Sequence, residues 1–238
     1  HNIYNILILG AGQLGSRHLQ SIKQADIRMN IYVSDICEDS LRLSEARYAE
    51  IPENENVENI VFTSDLNLLP ETIDFCIIAT TAHNRAKLIE NLTENRRIDN
   101  LILEKVLFQN ISDYDRVLAL LDSKKINTWV NCPRRTFDIY KALSNELSGK
   151  KINMIVDGAN WGLGCNSIHF IDLFAFLVSS PGYDIKNYLD NEIIKSKREG
   201  YIELTGSLHI QSDNGSQCIL TSRNGDAIAG PVIMITSD

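Results

Sequence analysis

Residues Gly10-Ala11-Gly12-Gln13-Leu14-Gly15 follow the apolar run Ile6–Leu9 and lead into an amphipathic stretch. A Gly-x-Gly-x-x-Gly turn between a strand and a helix suits a pyrophosphate. Gly10 permits the tight turn, Gly12 carries no side chain to hold phosphate off the backbone, and Gly15 lets the helix lie close to the strand. Gln13 and Leu14 belong to the same loop, and the free N–H groups of the helix start face the phosphates. Asp35 closes the next strand-like run, 20 residues after Gly15. A carboxylate there accepts hydrogen bonds from the adenosine ribose. It repels a 2′-phosphate, and Ile36 and Cys37 supply no cation to offset it, so NAD is favoured over NADP. A glycine turn without a ligand is the plain competitor. A methyltransferase loop is another, but the step from Gly12 to Gly15 fits a dinucleotide better. No Gly-x-x-x-x-Gly-Lys motif exists, which disfavours a P-loop nucleotidase.

Further groups could carry chemistry. Lys105 ends an apolar run, at the strand edge where open α/β sheets bind ligands. An ammonium there can bind a hydroxyl and steady a developing alkoxide; a strand-end lysine pointing into water fits the position equally. Cys165, His169 and Asp172 stand at i, i+4 and i+7, on one helix face. His169 could accept a hydroxyl proton, with Asp172 orienting it or holding a hydroxyl. On the residues alone, a packed histidine and a helix-border aspartate are the better reading. A thiol nucleophile lacks an acyl-transfer motif, and a metal site lacks a second constellation. Arg134 and Arg135 could pair with a substrate carboxylate or phosphate, or form a structural salt bridge. Trp161 could pack on a sugar face or plug the core. Asn166, beside Cys165, joins these as a candidate substrate contact. His83 and His209 are read as core or surface residues.

The elements that must position these groups change in kind along the chain. Strand-like runs at Tyr4–Leu9, Asn30–Ser34, Ile60–Thr63, Phe75–Thr80, Leu101–Lys105 and Thr128–Asn131 alternate with helical stretches at Leu14–Gln24, Ser40–Tyr48, Ala82–Asn95 and Ser112–Ser123. Glu38-Asp39-Ser40 reads as a capping cluster. This rhythm predicts an α/β domain with a doubly wound parallel sheet over residues 1–131. Beyond it, helices at Phe137–Leu147 and Asn166–Val178 mix with strands at Ile152–Val156, Ile202–Gln211, Gln217–Ser222 and from about Ile228 to Thr236. Turn signals at Asp213-Asn214-Gly215 and Arg223-Asn224-Gly225-Asp226 predict hairpins. Residues 132–238 are therefore expected to form an α/β domain on an open, mainly antiparallel sheet. The chain stops in or just after a strand-like run, as an incomplete second domain would.

Composition narrows the class. The chain has 238 residues and a net charge of −8. That balance disfavours nucleic acid as a partner. No stretch reaches the roughly 18 apolar residues of a membrane span, so no membrane partner is expected. No signal peptide opens the chain, and His1 reads as a tag remnant. Five scattered cysteines without a Cys-x-x-Cys pair suggest reduced thiols and a cytoplasmic location.

Together these motifs resemble the Gfo/Idh/MocA family of oxidoreductases. The resemblance lies in Gly10–Gly15 followed by Ser16-Arg17-His18, in Glu104-Lys105-Val106 where the family has Glu-Lys-Pro, and in Gly164–Asp172 where it has Asp-x-Gly-x-His-x-x-Asp. It spans residues 3 to about 178. Val106 replaces the family's proline, Cys165 an aspartate, Ser167 a glycine, and Thr81-Ala82 a Pro-Asn pair. The resemblance implies a Rossmann domain followed by the α/β domain, NAD as cofactor, and hydride exchange with a secondary alcohol of a sugar or sugar derivative, with surface-sugar biosynthesis as one setting. It implies nicotinamide in the cleft between the domains, Lys105 steadying oxyanion charge, His169 carrying the proton, and Asp172 assisting. Glu104 and Lys105 would also touch the cofactor, with Thr80 and Thr81 lining the nicotinamide side. A homodimer or larger assembly is implied too. The rival is a non-catalytic NAD-binding sensor, which keeps the glycine loop and Asp35 but does no chemistry.

Overall fold

Successive residues of the first strand enter different cores. In the computed structural model, which describes residues 2–196, 200–226 and 230–238, Ile6 and Ile8 of β1 (Tyr4–Leu9) pack with Leu19, Ile31 and Val33. Leu7 and Leu9 pack instead with Ile73, Ile78, Leu101 and Leu103. Side chains alternate across a strand, so continuous apolar runs mean a sheet covered on both faces. The remaining strands are β2 (Met29–Ser34), β3 (Val57–Thr63), β4 (Thr72–Ile78), β5 (Arg97–Leu103) and β6 (Asn127–Val130). They lie parallel in the order β3-β2-β1-β4-β5-β6. The helices are α1 (Gly15–Lys23), α2 (Glu38–Ala49), α3 (Arg85–Asn95) and α4 (Ile111–Ser123). The direction of winding reverses between β1 and β4, which opens a crevice at the carboxyl ends of these strands.

The chain divides into two units, His1–Asn131 and Cys132–Asp238. The second holds α5 (Asp138–Glu146), β7 (Ile152–Ala159), α6 (Leu163–Val178), β8 (Tyr183–Lys195), β9 (Ile202–Ser212), β10 (Gln217–Arg223) and β11 (Val232–Ser237). Its sheet runs β11-β7-β10-β9-β8. All its pairings are antiparallel except β7 with β10. Ile152, Met154 and Val156 alternate inward against Phe170, Leu173, Phe174 and Leu177 of α6.

Several expectations need correction. Strand β8 escaped the sequence reading: it is an edge strand, exposed along nearly its whole length, and so carries no burial alternation. The turn at Arg223–Asp226 does not close a hairpin, because β7 lies between β10 and β11. The turn at Asp213–Gly215 does join paired strands, with Asn214 Oδ1 accepting from Ser216 N at 2.9 Å. Helix α2 starts at Glu38 rather than Ser40, with Cys37 as its N-cap and Glu38 and Asp39 in the first turn. β4 and β5 begin and end earlier than expected, so Thr80 and Lys105 lie just past their strands. The His1 reading and the Ile228 strand start fall outside the described residues.

Candidate active site

The first turn after β1 is shaped by what a side chain would strike. A Cβ on Gly15 would lie 1.8 Å from the Gly10 carbonyl oxygen, and one on Gly10, whose φ is +98°, would lie 2.7 Å from Thr80 N. Nothing lies within 4 Å of the Cβ position on Gly12. Two glycines thus close the turn while the third leaves open space above it, the cradle a pyrophosphate needs. Asp35 is fixed by two backbone donors: Ala11 N to Oδ2 at 2.7 Å and Cys37 N to Oδ1 at 2.9 Å. The carboxylate is thereby tied to the glycine loop, with acceptor capacity left for ribose hydroxyls. Arg47, which sequence reading missed, reaches from α2 to the loop. It donates to Gln13 O at 3.0 Å, Gln13 Oε1 at 2.6 Å and Ser16 Oγ at 2.6 Å. Leu14 is exposed at the N-cap of α1. The residues present fit a dinucleotide.

Beyond β5 the chain is pinned on two sides. Glu104 is buried, and its Oε1 lies 2.7 Å from His18 Nε2 and 2.6 Å from the donating Asn131 Nδ2. Burial pushes its pKa up, but hydrogen bonds from His18 and Asn131 and the charges of His18 and Lys105 outweigh burial and hold it below the usual 4.5. Arg85, at 1% exposure, donates to the carbonyls of Glu104, of Val106 at 2.6 Å and of Leu107 at 3.0 Å, and to that of Thr80. Lys105 is half-buried in this segment, and the Lys105–Val106 peptide is cis. Thr80 is half-buried and Thr81 exposed. Arg85 also escaped the sequence reading. Its one signal was a cation in the first turn of a helix, where the macrodipole disfavours it.

A carboxyl held below its ordinary pKa stabilises the fold above that value and stops doing so as pH falls through the lowered one. Glu104→Gln is therefore expected to lower stability by about 1–3 kcal/mol near neutrality. The difference from the native protein should shrink as pH drops below 4.5. Urea melts across an acid series measure both.

In the second unit, α6 brings Cys165, His169 and Asp172 into one helix, as expected, but their surroundings differ from expectation. Asp172 forms a two-point pair with Arg135, with Arg135 Nε donating to Oδ2 at 2.9 Å. This pairing fits the salt-bridge reading of Arg135, whose pKa it raises. Arg134 lies over the Phe170 ring at 4.6 Å. Trp161 is buried, meets Phe170 edge-on and donates from Nε1 to Thr221 O at 2.7 Å, so it packs in the core, and it also lines the cleft described below. Asn166 Nδ2 donates to Trp161 O at 2.7 Å. His169 is half-buried and Cys165 exposed. The start of α6 is occupied by buried Glu203, which accepts from Gly164 N at 2.8 Å and Cys165 N at 2.9 Å. Sequence reading missed Glu203, which lies within an ordinary alternating strand. A cleft of about 380 Å³ opens beside it, lined by Cys165, Asn166, Lys195, Glu203 and Ser222 among others. Among the described residues, no three His, Cys, Asp or Glu side chains gather as metal ligands would. No described helix is long and apolar enough to cross a membrane.

The 3-2-1-4-5-6 parallel sheet, its glycine turn and the fixed acid just past β2 define a dinucleotide-binding domain of the Rossmann class. The profile of the Gfo/Idh/MocA oxidoreductases, described as an NAD-binding Rossmann fold, matches residues 4–132. The chain belongs to that family, and its cofactor is NAD. Solved structures share its fold. GenD2 from gentamicin A biosynthesis, crystallised with NAD, has a TM-score of 0.76 at 14% identity, covering 99% of this chain and 69% of that one. The WlbA dehydrogenase from Chromobacterium violaceum, in complex with NADH and UDP-GlcNAcA, has a TM-score of 0.74 at 16% identity, covering 100% and 72%. The transcriptional regulator Gal80p from Kluyveromyces lactis has a TM-score of 0.72 at 14% identity, covering 99% and 70%. Comparison with curated proteins by sequence gives no match.

Proposed function

We propose that the protein is an NAD-dependent dehydrogenase or reductase acting on a secondary alcohol of a sugar or sugar derivative. One observation carries the reading. Lys105 stands in a backbone segment pinned by Arg85, His18 and Asn131, at the carboxyl edge of the sheet that also bears the glycine loop. Bound NAD supplies the hydride acceptor. Gly10, Gly12, Gln13, Leu14 and Gly15 cradle the pyrophosphate, Asp35 holds the ribose, and Thr80, Thr81 and Glu104 border the nicotinamide end. Lys105 donates a hydrogen bond to the substrate hydroxyl and steadies alkoxide charge, and His169 takes the proton. Asp172, its charge matched by Arg135, holds substrate as half of an ion pair rather than acting as a base. Arg134 and Asn166 contact the substrate, and WlbA crystallised with a nucleotide sugar supports that class. The reading extends to a homodimer or larger assembly, which sedimentation would detect, and to the cytoplasm, where thiols stay reduced.

The test is nicotinamide absorbance on mixing the protein and NAD with a panel of sugars, cyclitols and nucleotide sugars. Reduction with at least one is expected. Saturable NAD binding with no turnover across the panel favours the sensor reading, which the shared fold of Gal80p keeps open. Asp35→Ala is expected to weaken NAD binding about 10–100-fold, the worth of charge-assisted hydrogen bonds, and to narrow the preference over NADP. Fluorescence titration with both coenzymes checks this.

A further inference from the structure

The Arg85 guanidinium sits where a cation is costly. It is 1% exposed, it opens a helix whose dipole opposes it, and burial lowers its pKa. The compensation comes from carbonyl oxygens of two separate loops. Thr80 O belongs to the turn after β4, and the oxygens of Glu104, Val106 and Leu107 belong to the turn after β5. Three of these lie on either side of Lys105 in the chain. From the other direction, His18 and Asn131 hold the Glu104 carboxylate. The backbone around Lys105 is therefore gripped at its carbonyls by one cation and at its preceding side chain by two donors.

Nη1 faces the carbonyls of Glu104, Val106 and Leu107 and Nη2 that of Thr80, so the planar fork joins the two turns, which an ammonium donating from one point does not do. We infer that Arg85 is a positioning residue for Lys105: it locks the 104–107 turn, and through Thr80 the neighbouring turn, so that the lysine is presented at the carboxyl edge in one orientation. This rests on the proposed role of Lys105. The hydrogen bonds of Arg85 go to backbone carbonyls, and its effect on chemistry is the orientation it imposes.

The test reads the lysine directly. The full-length protein is reductively methylated with ¹³C at its lysines, and the Lys105 resonance is assigned by its loss in Lys105→Arg. In the native protein this signal should be resolved from exposed lysines and broadened by restricted motion. In Arg85→Ala it should move to the exposed-lysine position and sharpen, and added guanidinium should restore it. Arg85→Lys should give an intermediate position, and it serves if the alanine variant does not fold. A native Lys105 signal indistinguishable from exposed lysines would overturn the inference. So would an unchanged signal in either folded variant, or an Arg85→Ala signal that guanidinium fails to restore. Turnover adds a second reading: kcat should fall about 100-fold in Arg85→Ala with KM and NAD affinity within about threefold. A held Lys105 without alcohol turnover counts against the proposed function alone. Turnover with a mobile Lys105 counts against this inference alone.

Discussion

Lys105→Ala is expected to lower alcohol turnover by about 100-fold or more while leaving NAD affinity within about threefold. The split follows from position. Lys105 lies one residue past buried Glu104, beyond the end of β5, and makes no part of the glycine turn or of the Asp35 anchor. Truncating it removes a cation from the reacting oxygen and at most one contact to the coenzyme, while the glycine turn and the Asp35 anchor that carry most of the hold on the dinucleotide stay intact. The surrounding turn keeps its own supports, Arg85 on the carbonyls and His18 with Asn131 on Glu104. The melting temperature should therefore change little. Steady-state kinetics and a coenzyme titration on the same preparation measure the split. A variant with native turnover would remove Lys105 from the chemistry.

The second large effect separates two glycines of one motif. Gly15→Ala places a methyl 1.8 Å from the Gly10 carbonyl oxygen, and that atom is backbone with no rotamer to escape into. The loop must deform, at a cost of about 3 kcal/mol or more. NAD binding should be lost together with stability. Gly12→Val meets nothing within 4 Å of its Cβ. It should melt near the native temperature yet bind NAD about 100-fold more weakly, because its branched side chain fills the space above the turn. Thermal melts paired with calorimetry distinguish the two. If Gly12→Val binds NAD as the native protein does, the pyrophosphate does not lie on this turn.

The legible parts of this molecule are those where sequence pattern and burial coincide. The central parallel strands could be placed because their apolar runs are covered on both faces, as at Ile6–Leu9, and the glycine turn because its spacing is itself the geometry. β8 was not legible: an edge strand with both faces exposed has no reason to alternate. Nor was the strand order after Arg223, because a turn signal says that the chain reverses and not which strand receives it. Within the candidate site, residues marked by type and spacing, such as Asp35, Lys105 and His169, could be named. Residues acting through backbone contacts could not. Arg47, Arg85 and Glu203 look like ordinary polar positions, and only the fold shows that they hold the glycine loop, the Lys105 turn and the start of α6. Asp172 shows the converse: its type suits proton transfer, but its charge is matched by Arg135.

Docking of NAD on the turn between β1 and α1 is tested most directly by calorimetric titration of the coenzyme into the native protein and into Gly12→Val. Saturable binding in the first and its near loss in the second, at equal melting temperature, is the expected result. Absence of saturation in the folded native protein, or equal binding by both, would contradict it.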